Sequence, residues 1–321
     1  MVKIPVGETI AHSYNFAFGH FLRLLGITWA PLVVLIAYSL MITPGFLGNT
    51  IPLNDKQEIV RQSLRLLPFS LIIALFIRAM IANGVTGLAL GDRPGATFVY
   101  FSVGLGVWRF VGAWLLVLLV MVVLIIGLCI ALAIGFTVGG VAFAALAHGS
   151  VAAAGVGAIA LFLFLLAFYA AIIYIAVRLT FLLPPVVVAE QKIDLARGWQ
   201  LTKGNFWRIF IIGLAVFIPM IFISGVIFVF AYGTGFFVGM LDIIQLGLHQ
   251  AKEEVIQQRL DAISGQMREQ ALRVWPYSAL AGLITETIGY GLAYGASAFA
   301  YREITATPQN TGMQVQAGLR S

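Results

Sequence analysis

Residues Trp108–Gly135 read WRFVGAWLLVLLVMVVLIIGLCIALAIG, and beyond Arg109 this stretch carries no charged side chain. Its 28 residues, wound as a helix at about 1.5 Å per residue, exceed the ~30 Å of a hydrocarbon layer. Backbone N–H and C=O groups cannot go unpaired in hydrocarbon, so such a run must be a helix or a strand of a closed barrel, and it is far too long for a barrel strand. The stretch therefore reads as a transmembrane helix.

Five similar runs join it, giving six expected spans: about Ile27–Thr43, Pro68–Leu90, Trp108–Gly135, Ala152–Phe181, Ile209–Tyr232 and Tyr277–Tyr301. The whole chain agrees, with 61% hydrophobic and 10% charged residues and a mean hydropathy of +0.99, against roughly 25% charged in soluble domains. The expected fold is all-α: a polytopic transmembrane helical bundle of about six spans in three pseudo-repeated pairs, with interfacial amphipathic helices. It fills one integral membrane domain over 1–304, and 305–321 is a polar, disordered tail.

The formal charge of +6 does not point to nucleic acid. The Lys and Arg residues stand singly at the ends of apolar runs, a placement that suits anionic lipid headgroups. With a cytoplasmic N-terminus, eleven cations fall inside: Lys3, Arg23, Arg93, Arg109, Arg178, Lys192, Arg197, Lys203, Arg208, Arg302 and Arg320. Seven fall outside: Lys56, Arg61, Arg65, Lys252, Arg259, Arg268 and Arg273. The asymmetry favours a bacterial inner-membrane protein with both termini cytoplasmic. The single cysteine, Cys129, lies in an apolar run and permits no intrachain disulfide or cysteine-based metal site. Neither do His12, His20, His148 and His249, scattered over three segments, form a metal-ligand spacing. No cofactor is expected.

Two segments read as surface helices. At the N-terminus Val6, Ile10, Tyr14, Phe18, Phe21 and Leu25 recur at helical spacing, opposite Glu8, Thr9, His12, Ser13 and Asn15. Before the last span, Ile256, Leu260, Ile263 and Met267 form an apolar stripe among charges. Three small-residue patterns, Gly87-x-x-x-Gly91, Gly135-x-x-x-Gly139 and Gly291-x-x-x-Gly295, mark close helix packing. Such faces would also serve a homo- or hetero-oligomer.

The chain resembles itself. An offset of 185 pairs Ala11 with Ala196, Tyr14 with Trp199, Gly19 with Gly204, Phe21 with Phe206 and Arg23 with Arg208. A second offset of 86 brings Tyr14 onto Tyr100 and Arg23 onto Arg109. These suggest parallel repeats 1–92, 93–190 and 191–304, each a surface helix and two spans. Each unit then places one ionisable group deep in its second span: Arg78, Arg178 and Glu286. A charge near the bilayer centre costs ~2.5–3.5 kcal/mol on insertion scales, so it faces the bundle interior and seeks a partner. The expectation is that Arg78, Arg178 and Glu286, with Asn83, Thr285 and Thr287, line a polar intramembrane site, and that an arginine pairs with Glu286. A purely structural ion pair is the competing reading.

Pro184 and Pro185 follow Arg178, either breaking the fourth span or ending it. Beyond them Asp194 can cap a short helix that Gly204 ends, and Arg197, Trp199, Lys203, Trp207 and Arg208 give it an aromatic and basic surface suited to interfacial lipid contact. On Arg178, Pro184, Pro185, Glu190 and the run Ala196–Arg208, ARGWQLTKGNFWR, the sequence resembles a bacterial membrane-protein family named after the membrane domain of glycerophosphoryl diester phosphodiesterases. Arg78 followed by Leu88–Pro94 is a weaker echo. The resemblance implies a multispan helical domain. Some relatives fuse it to a soluble phosphodiesterase barrel, which this sequence lacks, so that activity is not carried over. No nucleophile elbow, acid–base pair or phosphate-cradling loop stands in the sequence. A non-enzymatic membrane protein that transports or senses a lipid or small molecule is expected, with a structural or partner-binding subunit of an envelope complex as the alternative.

Overall fold

The computed structural model describes residues 2–42, 56–92, 98–146, 151–233, 235–249 and 252–306. The tail expected over 305–321 lies outside the described residues from position 307 on. Among the described residues the regular structure is helical throughout: α1 Val6–Gly19, α2 Phe21–Ile42, α3 Lys56–Leu90, α4 Leu105–Leu146, α5 Val151–Thr180, α6 Leu183–Ala189, α7 Leu195–Leu201, α8 Phe206–Tyr232, α9 Gly235–Leu248 and α10 Glu253–Thr305. α2 begins at Phe21 and α8 at Phe206, the 185-residue spacing of the self-comparison.

Among the described residues, five helical stretches are long and apolar enough to cross a membrane: Phe21–Met41, Leu64–Leu90, Leu105–Ala133, Phe162–Ala189 and Phe206–Ala231. α4 shows most plainly why water cannot surround them. Leu115, Leu118, Leu119, Val123, Ile125, Ile126 and Ile130 are each about half exposed. At ~1.5–3 kcal/mol per fully buried large apolar side chain, hydrating one such face forfeits several kcal/mol, comparable to a whole domain's net stability. Hydrocarbon removes that cost, and the chain is a multispan helical membrane protein.

The sixth expected span, Tyr277–Tyr301, forms the C-terminal half of α10 and is less apolar than the other five. Its environment explains the difference. α10 packs against α1, α2, α3, α6, α8 and α9, so Leu292, Ala296, Ala298 and Ala300 are sealed by protein rather than lipid. Close approach selects small residues there. A Cβ on Gly291 would stand 2.7 Å from Leu24 Cδ1 and 3.2 Å from Ala17 Cα, and one on Gly295 would stand 2.8 Å from Phe16 Cδ1. α10 is also longer than expected. The amphipathic stripe Ile256–Met267 and the last span make one 53-residue helix running through Pro276, about 80 Å long. α9, which lacks an obvious sequence signal, lies along it: Ile263 covers Gly239, and Arg259 pairs with Asp242 at 2.5 Å.

α1 packs on more than its apolar stripe. Val6, Ile10 and Tyr14 of that stripe are half-buried against the core, but the sealed residues are Thr9, Ser13 and Ala17, and Phe18 is 58% exposed. Thr9 Oγ1 donates to the Pro5 carbonyl at 2.7 Å and Ser13 Oγ to that of Ile10 at 2.8 Å. With their hydroxyls satisfied locally, Thr9 and Ser13 bury as small side chains in line with Ala17, which meets Gly291 of α10.

Candidate functional site

Arg78 of α3 and Thr285 and Glu286 of α10 line one cavity of about 610 Å³. Its walls are mostly apolar: Trp114 of α4, Val177 of α5, Phe181 and Pro184 at the α5–α6 break, and Ile209–Ser224 along α8, with Tyr290 and Tyr294 beside the charges. A second cavity of about 320 Å³ lies between α2 and α10, and Arg78, Glu286 and Tyr290 line it too. These three side chains thus form a polar partition between two apolar spaces. No ion pair joins Arg78 to Glu286 among the described residues, and both side chains are exposed rather than sealed in the bundle interior as expected. Tyr290 and Tyr294 stack one helical turn apart, ring centroids 5.9 Å from each other.

Arg178, Asn83 and Thr287 are placed elsewhere. Arg178 is 6% exposed, and its guanidinium lies 3.7 Å from the centroid of the Trp199 ring. It donates to Tyr174 Oη at 2.8 Å, Thr202 Oγ1 at 3.2 Å and the Trp199 carbonyl at 2.6 Å. Two residues from the end of α5, it reaches the α7 turn rather than Glu286. Asn83 donates to Tyr100 Oη at 3.3 Å. Thr287 is sealed, bonded to Thr28 Oγ1 at 2.7 Å across the α2–α10 contact.

The stretch around Arg178 is a polar knot at one end of the bundle. Phe181 and Leu182 break the helix after α5, and Pro184 and Pro185 sit in the first turn of α6, where a missing N–H costs nothing. Glu190 accepts from Arg197 and from Tyr301 of α10, each at 3.2 Å, and pairs with Lys192 at 3.1 Å. Burial pulls the Glu190 carboxyl up, but the hydrogen bonds from Lys192, Arg197 and Tyr301 together outweigh it and hold it below its ordinary value. Asp194 caps α7 by accepting the Arg197 N–H at 2.8 Å, and that bond lowers its carboxyl. Hydrogen bonds to Glu190 and Asp194 raise the Lys192 ammonium. Gln191, which accepts a hydrogen bond from Arg109, adopts φ +53 in the turn between.

The same knot holds the N-terminus. Asn205 Oδ1 accepts the Ile4 N–H at 3.1 Å, Asn205 Nδ2 donates to the Val2 carbonyl at 3.0 Å, and Arg208 donates to the Ile4 carbonyl at 2.7 Å. Of the five residues expected to meet lipid, Arg197, Trp199 and Arg208 are engaged within the protein. Lys203 and Trp207 project outward, the latter 71% exposed. Tyr290, Tyr294 and Trp114 were not anticipated at the cavity, because aromatic residues in a span carry no sequence mark of which way they face.

Fold and knot together define a polytopic helical membrane domain whose signature residues tie helices α5, α7, α8 and α10 to the N-terminal segment. Residues 157–248 match the family model for the membrane domain of glycerophosphoryl diester phosphodiesterase, and the matched stretch runs from α5 through α9. No curated protein and no solved structure matches the chain.

Proposed function

We propose that this protein is a non-enzymatic membrane protein of the bacterial inner membrane that transports or senses a small molecule or lipid at the Arg78–Glu286 partition. The observation that carries the reading is that Arg78, Glu286 and Tyr290 line both cavities with no ion pair between the two charges. A structural pair would close on itself, because opposite charges beside apolar walls attract one another, whereas these two stand apart and exposed. Two separated charges set in apolar walls suit an amphipathic ligand, polar at one point and greasy elsewhere. The excess of Lys and Arg in the segments assigned inside supports cytoplasmic termini. The offsets 185 and 86 support three parallel units around the site.

Water access tests the proposal. Cys129 is the single cysteine, so a Cys129→Ser background carrying Glu286→Cys or Thr285→Cys reports only the new thiol. Labelling of both positions by a membrane-impermeant, charged thiol reagent in reconstituted vesicles is expected. Thiols that stay unlabelled in folded protein would mean a dry interior, and the chain would then be better read as a structural subunit of an envelope complex.

A further inference from the structure

A third cavity, of about 440 Å³, opens at the end of the bundle where α1 meets α2 and where α3 and α10 finish. Its polar lining is entirely basic or neutral: His12, Asn15, His20, Arg23 and Arg302, with no acidic side chain among them. Neither arginine makes an ion pair among the described residues. His20 Nδ1 is sealed from solvent with no hydrogen-bond partner. Gly91, at φ +80, ends α3 beside the cavity, and a Cβ there would come within 3.4 Å of Arg302 Nη2. The four histidines looked scattered along the sequence, yet two of them share this space.

We infer that this cavity is an anion site that takes a phosphate group through Arg23 and Arg302, with His20 in its wall. Two guanidinium groups arriving from different helices, each with a planar fork of donors, match an anion bearing several oxygens. Two like charges that share one cavity repel each other, and an anion held between them removes that repulsion. Arg23 opens the first expected span and Arg302 closes the last, so the site sits at headgroup depth. The phosphate belongs either to an anionic lipid or to a free phosphate compound. The inference is independent of the Arg78–Glu286 reading, because the two cavities share no residue.

The test uses the full chain in a neutral detergent, with thermal unfolding and quantitative binding as readouts. The probes are phosphatidylglycerol, phosphatidylcholine and inorganic phosphate, and the variants are Arg23→Gln, Arg302→Gln and the pair. Both arginines are exposed at the cavity mouth, and Lys3→Gln, exposed and outside the cavity, controls for net charge. Phosphatidylglycerol bound over phosphatidylcholine, and weakened at least about tenfold in the double variant but not in Lys3→Gln, assigns the site to a lipid headgroup. Inorganic phosphate bound with the same variant dependence assigns it to a free phosphate. If neither probe stabilises the wild-type chain, or if the double variant binds as tightly as Lys3→Gln, the inference is overturned. The single variants, each keeping one arginine, repeat the comparison should the double variant not fold.

Discussion

Arg178 both stacks on Trp199 and donates to its carbonyl, so one guanidinium fixes the ring and the backbone of the same residue. Replacing it by Lys keeps the charge but not the planar fork. An ammonium has three donors but not the flat spread that reaches the Trp199 carbonyl, Thr202 and Tyr174 at once, and a buried group left unmet costs about 1–3 kcal/mol. Arg178→Lys is expected to destabilise the protein by about 2–4 kcal/mol in detergent unfolding. Trp199→Leu, which keeps the carbonyl and loses mainly the cation–π contact, should lose ~0.5–2 kcal/mol. Equal effects would show that the stacking, rather than the hydrogen bonds, fixes Arg178.

Glu190 makes a pH prediction with a definite sign. Its folded-state carboxyl is held below the ordinary value of 4.5 by Lys192, Arg197 and Tyr301 acting together against burial. Its contribution is therefore present at neutral pH and is lost as the pH falls below 4.5 toward the folded value. Asp194 behaves the same way, so the wild-type acid limb has two sources. Glu190→Gln should lower the unfolding temperature near neutrality, and the gap from wild type should narrow on acidification. A gap that stays constant across the acid range would show that the Glu190 charge contributes nothing.

The α1–α10 crossing predicts which glycines tolerate a methyl group. Leu24 and Ala17, which a Cβ on Gly291 would meet, are themselves fully buried and have little room to give. Gly291→Ala should cost about 1–3 kcal/mol through overpacking. Gly282 in the same helix has nothing within 4 Å of its Cβ position, so Gly282→Ala should be neutral or gain up to ~1 kcal/mol in helix propensity. Unfolding of the two variants side by side decides this. If they match, α1 does not pack as closely as the structure has it.

These contacts also show where sequence is a good guide and where it fails. Long uncharged runs such as Trp108–Gly135 announce themselves, because lipid demands apolar side chains on every face of α4. An ionisable residue deep in a span is equally conspicuous, and Arg78 and Glu286 stood out for that reason. Which way such a side chain turns depends on helix rotation, set by partners far away in the chain. Arg178 turns to residues 199–202 and Thr287 to Thr28, and neither pairing leaves a local pattern. α1 misled because amphipathicity weighs large apolar groups, whereas the buried ridge Thr9–Ser13–Ala17 is small and partly polar. In a helix bundle of this kind closeness of backbones, rather than greasiness, selects the packed face.

Asn205 carries the last prediction. Its amide reads both groups of the N-terminal segment, accepting the Ile4 N–H and donating to the Val2 carbonyl, while Arg208 holds the Ile4 carbonyl. Ile4 is fully buried against Leu182, Val186, Ile209 and Ala296, so the anchor is part apolar and part polar. Asn205→Ala removes two of the three polar ties and leaves a buried N–H unmet, at a cost of about 1–3 kcal/mol. Local opening of residues 2–5 should then become about fivefold to a hundredfold more frequent, since 1.4 kcal/mol is one decade in an equilibrium. Hydrogen exchange at the Ile4 amide measures it directly, and Asn205→Asp, which keeps the acceptor and loses the donor, should fall between Ala and wild type. Unchanged Ile4 protection in Asn205→Ala would place the anchor in the Ile4 side chain and Arg208 alone.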